Sequence, residues 1–156
     1  MNVQFSFWLL PPLVAAVLAI GAARYVRERW GDPGSVALFW ACIAAAVWAI
    51  LRTISLMVSP VEAKLVLEQL IYVPITFTPL LWLGLAIEYS GRSDMLKRWP
   101  MGLIYAVPLV TLVIIWTNGA TGLFWRSTGL QELAGTSVLA VTPGVWFRVH
   151  TLSLIH

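Results

Sequence analysis

The sequence predicts an all-α fold: a polytopic bundle of transmembrane helices with four complete spans, the start of a fifth, and the N-terminus outside. Three observations carry this. Of the 156 residues, 60% are hydrophobic and only 11% charged, against about 45–50% and about 25% in ordinary globular chains. The mean hydropathy of +0.84 says the same, since too few polar groups remain to cover a water-facing surface. Uncharged stretches of about 20 residues, the length a helix needs to cross a ~30 Å hydrocarbon core, recur along the chain. Finally, Lys and Arg fall mainly on alternate connections between those stretches.

The first stretch covers residues 5–23 and stops at Arg24, with Arg27, Glu28 and Arg29 behind it. Its start, Met1-Asn2-Val3-Gln4, has no basic residue, so it reads as a span and not as a cleaved leader. The second covers 35–58 and encloses Arg52, ending at Ser59-Pro60. The third covers 65–87, with Glu68 near its start, Pro74 and Pro79 inside it and Glu88 closing it. Each proline removes a backbone donor and crowds the preceding turn, so this span is expected to bend and to act as the hinge. The carbonyls freed near Leu70 and Ile75 then need partners such as Thr76 or Thr78. The fourth covers 100–117 and opens on Pro100, where a missing N–H costs nothing.

Residues 119–143 are punctuated by Gly119, Gly122, Gly129 and Gly135 and carry Arg126, Gln131 and Glu132. They read as one long external loop, with a short strand over 137–142. A new apolar segment begins near Val145, but 12 residues give only about 18 Å of helix, so it reads as the start of a fifth span. The positive-inside rule orients the bundle. Arg24, Arg27, Arg29, Arg92, Lys97 and Arg98 mark two connections as cytoplasmic, against Lys64 and Arg126 on the other side. Trp8, Trp30, Trp99, Trp116, Trp125 and Trp146 fall near span ends, where an indole can keep its N–H wet. Small residues at every fourth position, Ala15, Ala19 and Ala23 on the first span and Ala37, Ala41, Ala45 and Ala49 on the second, predict a close contact between those two helices.

Several functions are disfavoured at once. Ten basic residues against seven acidic ones are too sparse for a phosphate-binding surface, so nucleic acid is not an expected partner. Cys42 stands alone, which leaves no disulfide framework and no cysteine cluster for a metal. No phosphate loop, metalloprotease helix or nucleophile elbow is present. No catalytic residue, metal site or cofactor is therefore expected, and His150 and His156 read as structural hydrogen-bonders.

The informative charge is Arg52, because an ionisable group inside a span costs at least ~2.5–3.5 kcal/mol and normally faces protein or water. In an antiparallel hairpin turning near Val61, residues around 70 share its level, which brings Glu68, Gln69 and Tyr72 beside it. Three readings stand: Arg52 snorkels to the headgroups, it forms a structural ion pair with Glu68, or the cluster lines an outward pocket for an anionic or polar ligand. Arg148, early in the last segment, is a further ligand-binding candidate. So is the external loop with Trp125, Arg126 and Glu132, since binding residues concentrate on exposed loops.

Several short segments, taken in order, also form a pattern: Trp48 followed by a polar position at Arg52; Glu68-Gln69-Leu-Ile-Tyr72 leading into Pro74 and Pro79; Trp82 through Glu88-Tyr89-Ser90-Gly91-Arg92; Pro108; Thr117-Asn118; and Gly144-Val-Trp-Phe147. This pattern resembles the N-terminal seven-helix region found ahead of bacterial histidine kinases and sometimes of diguanylate cyclases, and it covers residues 5–156. Two positions depart from it. Arg52 stands where that family often has an acidic residue, which inverts the polar logic with Glu68. Thr121 stands where it commonly has a histidine, so no ligand or metal role of that histidine carries over.

The resemblance implies a sensory input module in the bacterial inner membrane. Its partners would be the lipid bilayer, a cytoplasmic output domain in the same protein, an unknown small-molecule or membrane stimulus, and a second copy in a homodimer. The expected mechanism is a rearrangement of the bent third span, biased at the level of Arg52, Glu68 and Tyr72. A small transporter or channel subunit, in which Arg52 and the proline-broken span line a path, or a plain membrane anchor are the alternatives.

Overall fold

The computed structural model describes residues 7–92, 94, 100–133 and 136–155. Lys97, Arg98, Trp99 and His156, all weighed above, lie outside the described residues. After a 3-10 turn at Phe7–Leu9 come α1 (Leu10–Arg27), α2 (Ser35–Met57), α3 (Val61–Tyr89), α4 (Pro100–Trp116), the single turn α5 (Asn118–Thr121), strands β1 (Trp125–Leu133) and β2 (Thr136–Pro143), and α6 (Val145–Ile155). Among the described residues, Phe7–Arg27, Ser35–Met57 and Val61–Tyr89 are long and apolar enough to cross a membrane, and Ile104–Trp116 is a shorter apolar helix. The chain is thus mostly helical. Among the described residues the sheet is the antiparallel pair β1 and β2.

Helices pack in chain order, α1 on α2, α2 on α3 and α3 on α4, with α6 resting lightly on α4. On α1 and the 3-10 turn before it the inward positions are Leu9, Ala16, Ala23 and Val26, with Pro12 and Ala19 partly covered. That spacing of three and four is the seam of a left-handed helix pair. The expected stripe is therefore shifted by one residue at its start, because Ala15 is exposed. On α2 the correction is larger. Ala45 is exposed and lines a groove shared with Pro74, Ile75 and Thr78 of α3, and Ala37 faces Gly84, also on α3. Small residues on α2 therefore serve two neighbours, which a single stripe did not anticipate.

α3 runs 29 residues without interruption through both prolines. The hydroxyls nearest them are used locally, Thr76 donating to the Val73 carbonyl at 3.0 Å and Thr78 to the Pro74 carbonyl at 2.7 Å. These are neighbours of the carbonyls expected to be freed, not those carbonyls themselves. The helix ends in a Schellman motif: Gly91, at φ +71, donates to Glu88 and Arg92 to Ile87, satisfying the last carbonyls.

The segment expected to be a loop is a hairpin. Leu133 pairs with Thr136 at one end and Trp125 with Pro143 at the other, and Arg126 is the extra residue of a bulge between Trp125 and Ser127. The strand expected over 137–142 is β2. Its partner β1 carries Gly129 and a run of exposed polar residues, so no alternation of apolar residues announced it.

Candidate functional site

The candidate site lies where α2 ends and α3 begins. Arg52 is the sixth residue from the C-terminus of α2, and Glu68 is two turns into α3. Only Val58, Ser59 and Pro60 separate the helices, so the hairpin sets the two side chains level. The Arg52 guanidinium donates through Nη1 to Glu68 Oε1 at 2.5 Å. The Arg52–Glu68 pairing weighed from sequence is present in the structure. Glu68 is the more enclosed partner, at 15% exposure against 35% for Arg52, so the carboxylate is held in the bundle while the guanidinium looks outward.

Lys64 was counted among outer-side charges, yet it is 1% exposed, with Nζ donating to the Ser55 carbonyl at 2.7 Å. Four residues before Glu68, it shares that face of α3 and lies within electrostatic reach of both Arg52 and Glu68. The donor to Ser55 also satisfies a carbonyl in the last turn of α2, where a positive charge is favoured by the helix dipole.

Beside the pair lies a cavity of ≈ 420 Å³ lined by Trp8, Pro11, Pro12, Trp48, Leu56 and Val138, with Arg52 the one charged residue of its wall among the described residues. It draws on the start of α1, the end of α2 and strand β2.

On its other side the pair adjoins an aromatic cluster. Tyr72, one turn after Glu68, enters through its ring, packed edge-on against Phe124 at 4.9 Å and Trp125 at 5.7 Å between centroids. Phe124 packs in turn against Phe147. Trp125, expected at a wet interface, is 3% exposed and lies within this cluster, its ring covered by Tyr72 of α3 and by Phe124. Gln69 reaches from α3 to the Ile115 carbonyl of α4 at 3.5 Å, a weak bond at the limit of the geometry.

The residue that builds this cluster is Asn118. Its Oδ1 accepts from the backbone N–H of Phe124 at 2.8 Å and of Trp125 at 2.9 Å, and its Nδ2 donates to the Trp125 carbonyl at 3.1 Å. The chain is then closed from the far side, since Gly144 donates to the Phe124 carbonyl and Trp146 to the Leu123 carbonyl. Trp146 also points its indole N–H at Thr111 of α4, 3.3 Å away. A Cβ at Gly144 would collide with the Leu123 carbonyl, so only glycine allows this approach.

The remaining candidates lie on β1 and α6. Arg126 is exposed on the bulge. Arg148 is exposed beside Pro143, Phe147 and Thr151 in a separate groove. Glu132 is exposed on β1. His150 is buried and lines a cavity of ≈ 190 Å³ with Thr76, Pro79 and Pro108, between α3 and α4. At the opposite end of the bundle, Glu88 accepts from the backbone N–H of Gly34 at 3.0 Å, placing a carboxylate at the N-terminus of α2.

A family model described as the N-terminal 7TM region of histidine kinase matches residues 11–156. The chain belongs to this family. No curated protein and no solved structure gave a significant match. As a 7TM region of histidine kinases, the chain is a multi-pass membrane protein and a sensory module. The short segments that suggested this family now have positions: Glu68 and Tyr72 flank the candidate site, Asn118 and Gly144 hold the aromatic cluster, and Glu88 ties α3 to α2. At the two departures, Arg52 takes Glu68 as its counter-ion, and Thr121 bonds the Thr117 carbonyl at 3.2 Å.

Proposed function

We propose that this 7TM region is an outward-facing input module in a bacterial inner membrane, with the N-terminus outside, α4 as a fourth span and α6 as the start of a fifth. A stimulus at the Arg52–Glu68 level biases the arrangement of α3, and later helices carry the change to a cytoplasmic output domain. The observation that carries this reading is the ion pair set in the wall of an apolar cavity, with Tyr72 coupling the same turn of α3 to the aromatic cluster beneath the hairpin. A charge pair in such a place is costly to keep and sensitive to anything entering beside it. Exposed Arg24, Arg27, Arg29 and Arg92 at the opposite end support the orientation, and burial of Lys64 strengthens the asymmetry.

In the full-length receptor, Arg52→Ala should change basal output, stimulus response or both; a variant matching the parent in both removes the reading. For the orientation, a cysteine at Arg126 in a Cys42→Ser background should react with an impermeant maleimide on intact cells, and one at Arg27 only after permeabilisation. The reverse pattern refutes it.

A further inference from the structure

We propose that the cavity in front of Arg52 is a binding site for a single-chain amphiphilic carboxylate. Among the described residues, Trp8, Pro11, Pro12, Trp48, Leu56 and Val138 offer an apolar surface around one cation, the pattern of a site that takes an apolar body and fixes its orientation by one charge. The guanidinium spends Nη1 on Glu68 and is 35% exposed, and a guanidinium has five donors in a planar fork that suits carboxylate oxygens. The Glu68 carboxylate already occupies one side of that fork, so a ligand carboxylate would bind beside it and compete for the same charge. At ≈ 420 Å³ the cavity is in the lower part of the range for small-molecule sites, a size that suits one acyl chain.

The inference rests on the sensory reading above only for its role as stimulus. Binding itself is measured on the full 156-residue chain in phosphatidylcholine nanodiscs, using dibromostearate to quench the tryptophans that line the cavity. Expected are saturable quenching reduced in Trp48→Phe, and affinity roughly tenfold weaker for the methyl ester and for Arg52→Gln, the scale of one charge-assisted hydrogen bond. Affinity should be several-fold tighter in Glu68→Gln, where the competing carboxylate is gone. Val138→Phe, which narrows the cavity and leaves the ion pair intact, should lose acid and ester alike.

Equal affinity for acid and ester, indifference to Arg52→Gln, or unchanged binding in Val138→Phe each overturns the proposal. So does Arg52-dependent quenching of the same strength by brominated phosphatidylglycerol, which would make the occupant a bilayer lipid. The two readings fail separately. Acid binding with no effect on full-length output leaves the ligand standing and removes the stimulus role; output altered by Arg52→Ala without acid binding does the opposite.

Discussion

Asn118 holds both backbone polar groups of Trp125: its side-chain oxygen accepts from the Trp125 N–H and its amide nitrogen donates to the Trp125 carbonyl. A side-chain amide here performs the role of a neighbouring strand, at a point where the chain leaves α5 and must turn back over α3. Because the same oxygen also binds Phe124, one residue sets the entry to the hairpin and buries two aromatic rings against Tyr72.

Replacing Asn118 by Ala should cost roughly 2–4 kcal/mol, since three backbone groups beside a buried cluster lose their partner and water does not easily replace it. Asn118→Asp keeps the acceptor and loses the donor, so it should cost less. Thermal unfolding in detergent, with limited proteolysis of the hairpin, gives the order; equal stability of the alanine variant and the parent contradicts the bracing role.

Gly144→Ala should displace the start of α6. The added methyl meets the backbone carbonyl of Leu123, which is held by the Trp146 N–H and cannot swing aside as a side chain would, so a cost of about 1–3 kcal/mol is expected. A shift in the near-ultraviolet signal of the Trp125 and Trp146 environment should accompany it.

The Arg52–Glu68 interaction is separable by a double-mutant cycle. Each single alanine should destabilise the protein, and the double variant should recover part of the loss, with a coupling of about 1–2 kcal/mol. The pair is only partly enclosed, so a larger value is not expected. Strictly additive effects would mean that Arg52 is stabilised mainly by headgroups.

At the other end, Gly34→Ala should cost about 1–2 kcal/mol from its left-handed φ of +81 alone. The Leu85 methyl, 2.6 Å from the added carbon, can rotate away. Glu88→Leu removes the acceptor for the Gly34 N–H, whereas Glu88→Gln retains one. Leucine should therefore lower the midpoint of unfolding more than glutamine does, and the opposite order would show that the bond contributes nothing.

What sequence alone determined was whatever follows from matching apolar length to a membrane. The starts of α2 at Ser35 and α4 at Pro100, the turn at Ser59-Pro60 and the beginning of α6 at Val145 were all legible, because charge, proline and glycine mark them directly. The level of Arg52 against Glu68 was legible too, since a short helical hairpin converts sequence distance from the turn into depth. Tertiary structure decided which neighbour each small residue meets, that Lys64 folds inward to cap α2, and that Trp125 is enclosed. It also decided that Trp125–Leu133 and Thr136–Pro143 pair as antiparallel strands. None of these is a property of a span or a period. Each depends on backbone groups brought together across the fold, as Asn118 with Trp125 or Gly144 with Leu123, and hydrogen bonds of that kind leave no pattern in the order of residues.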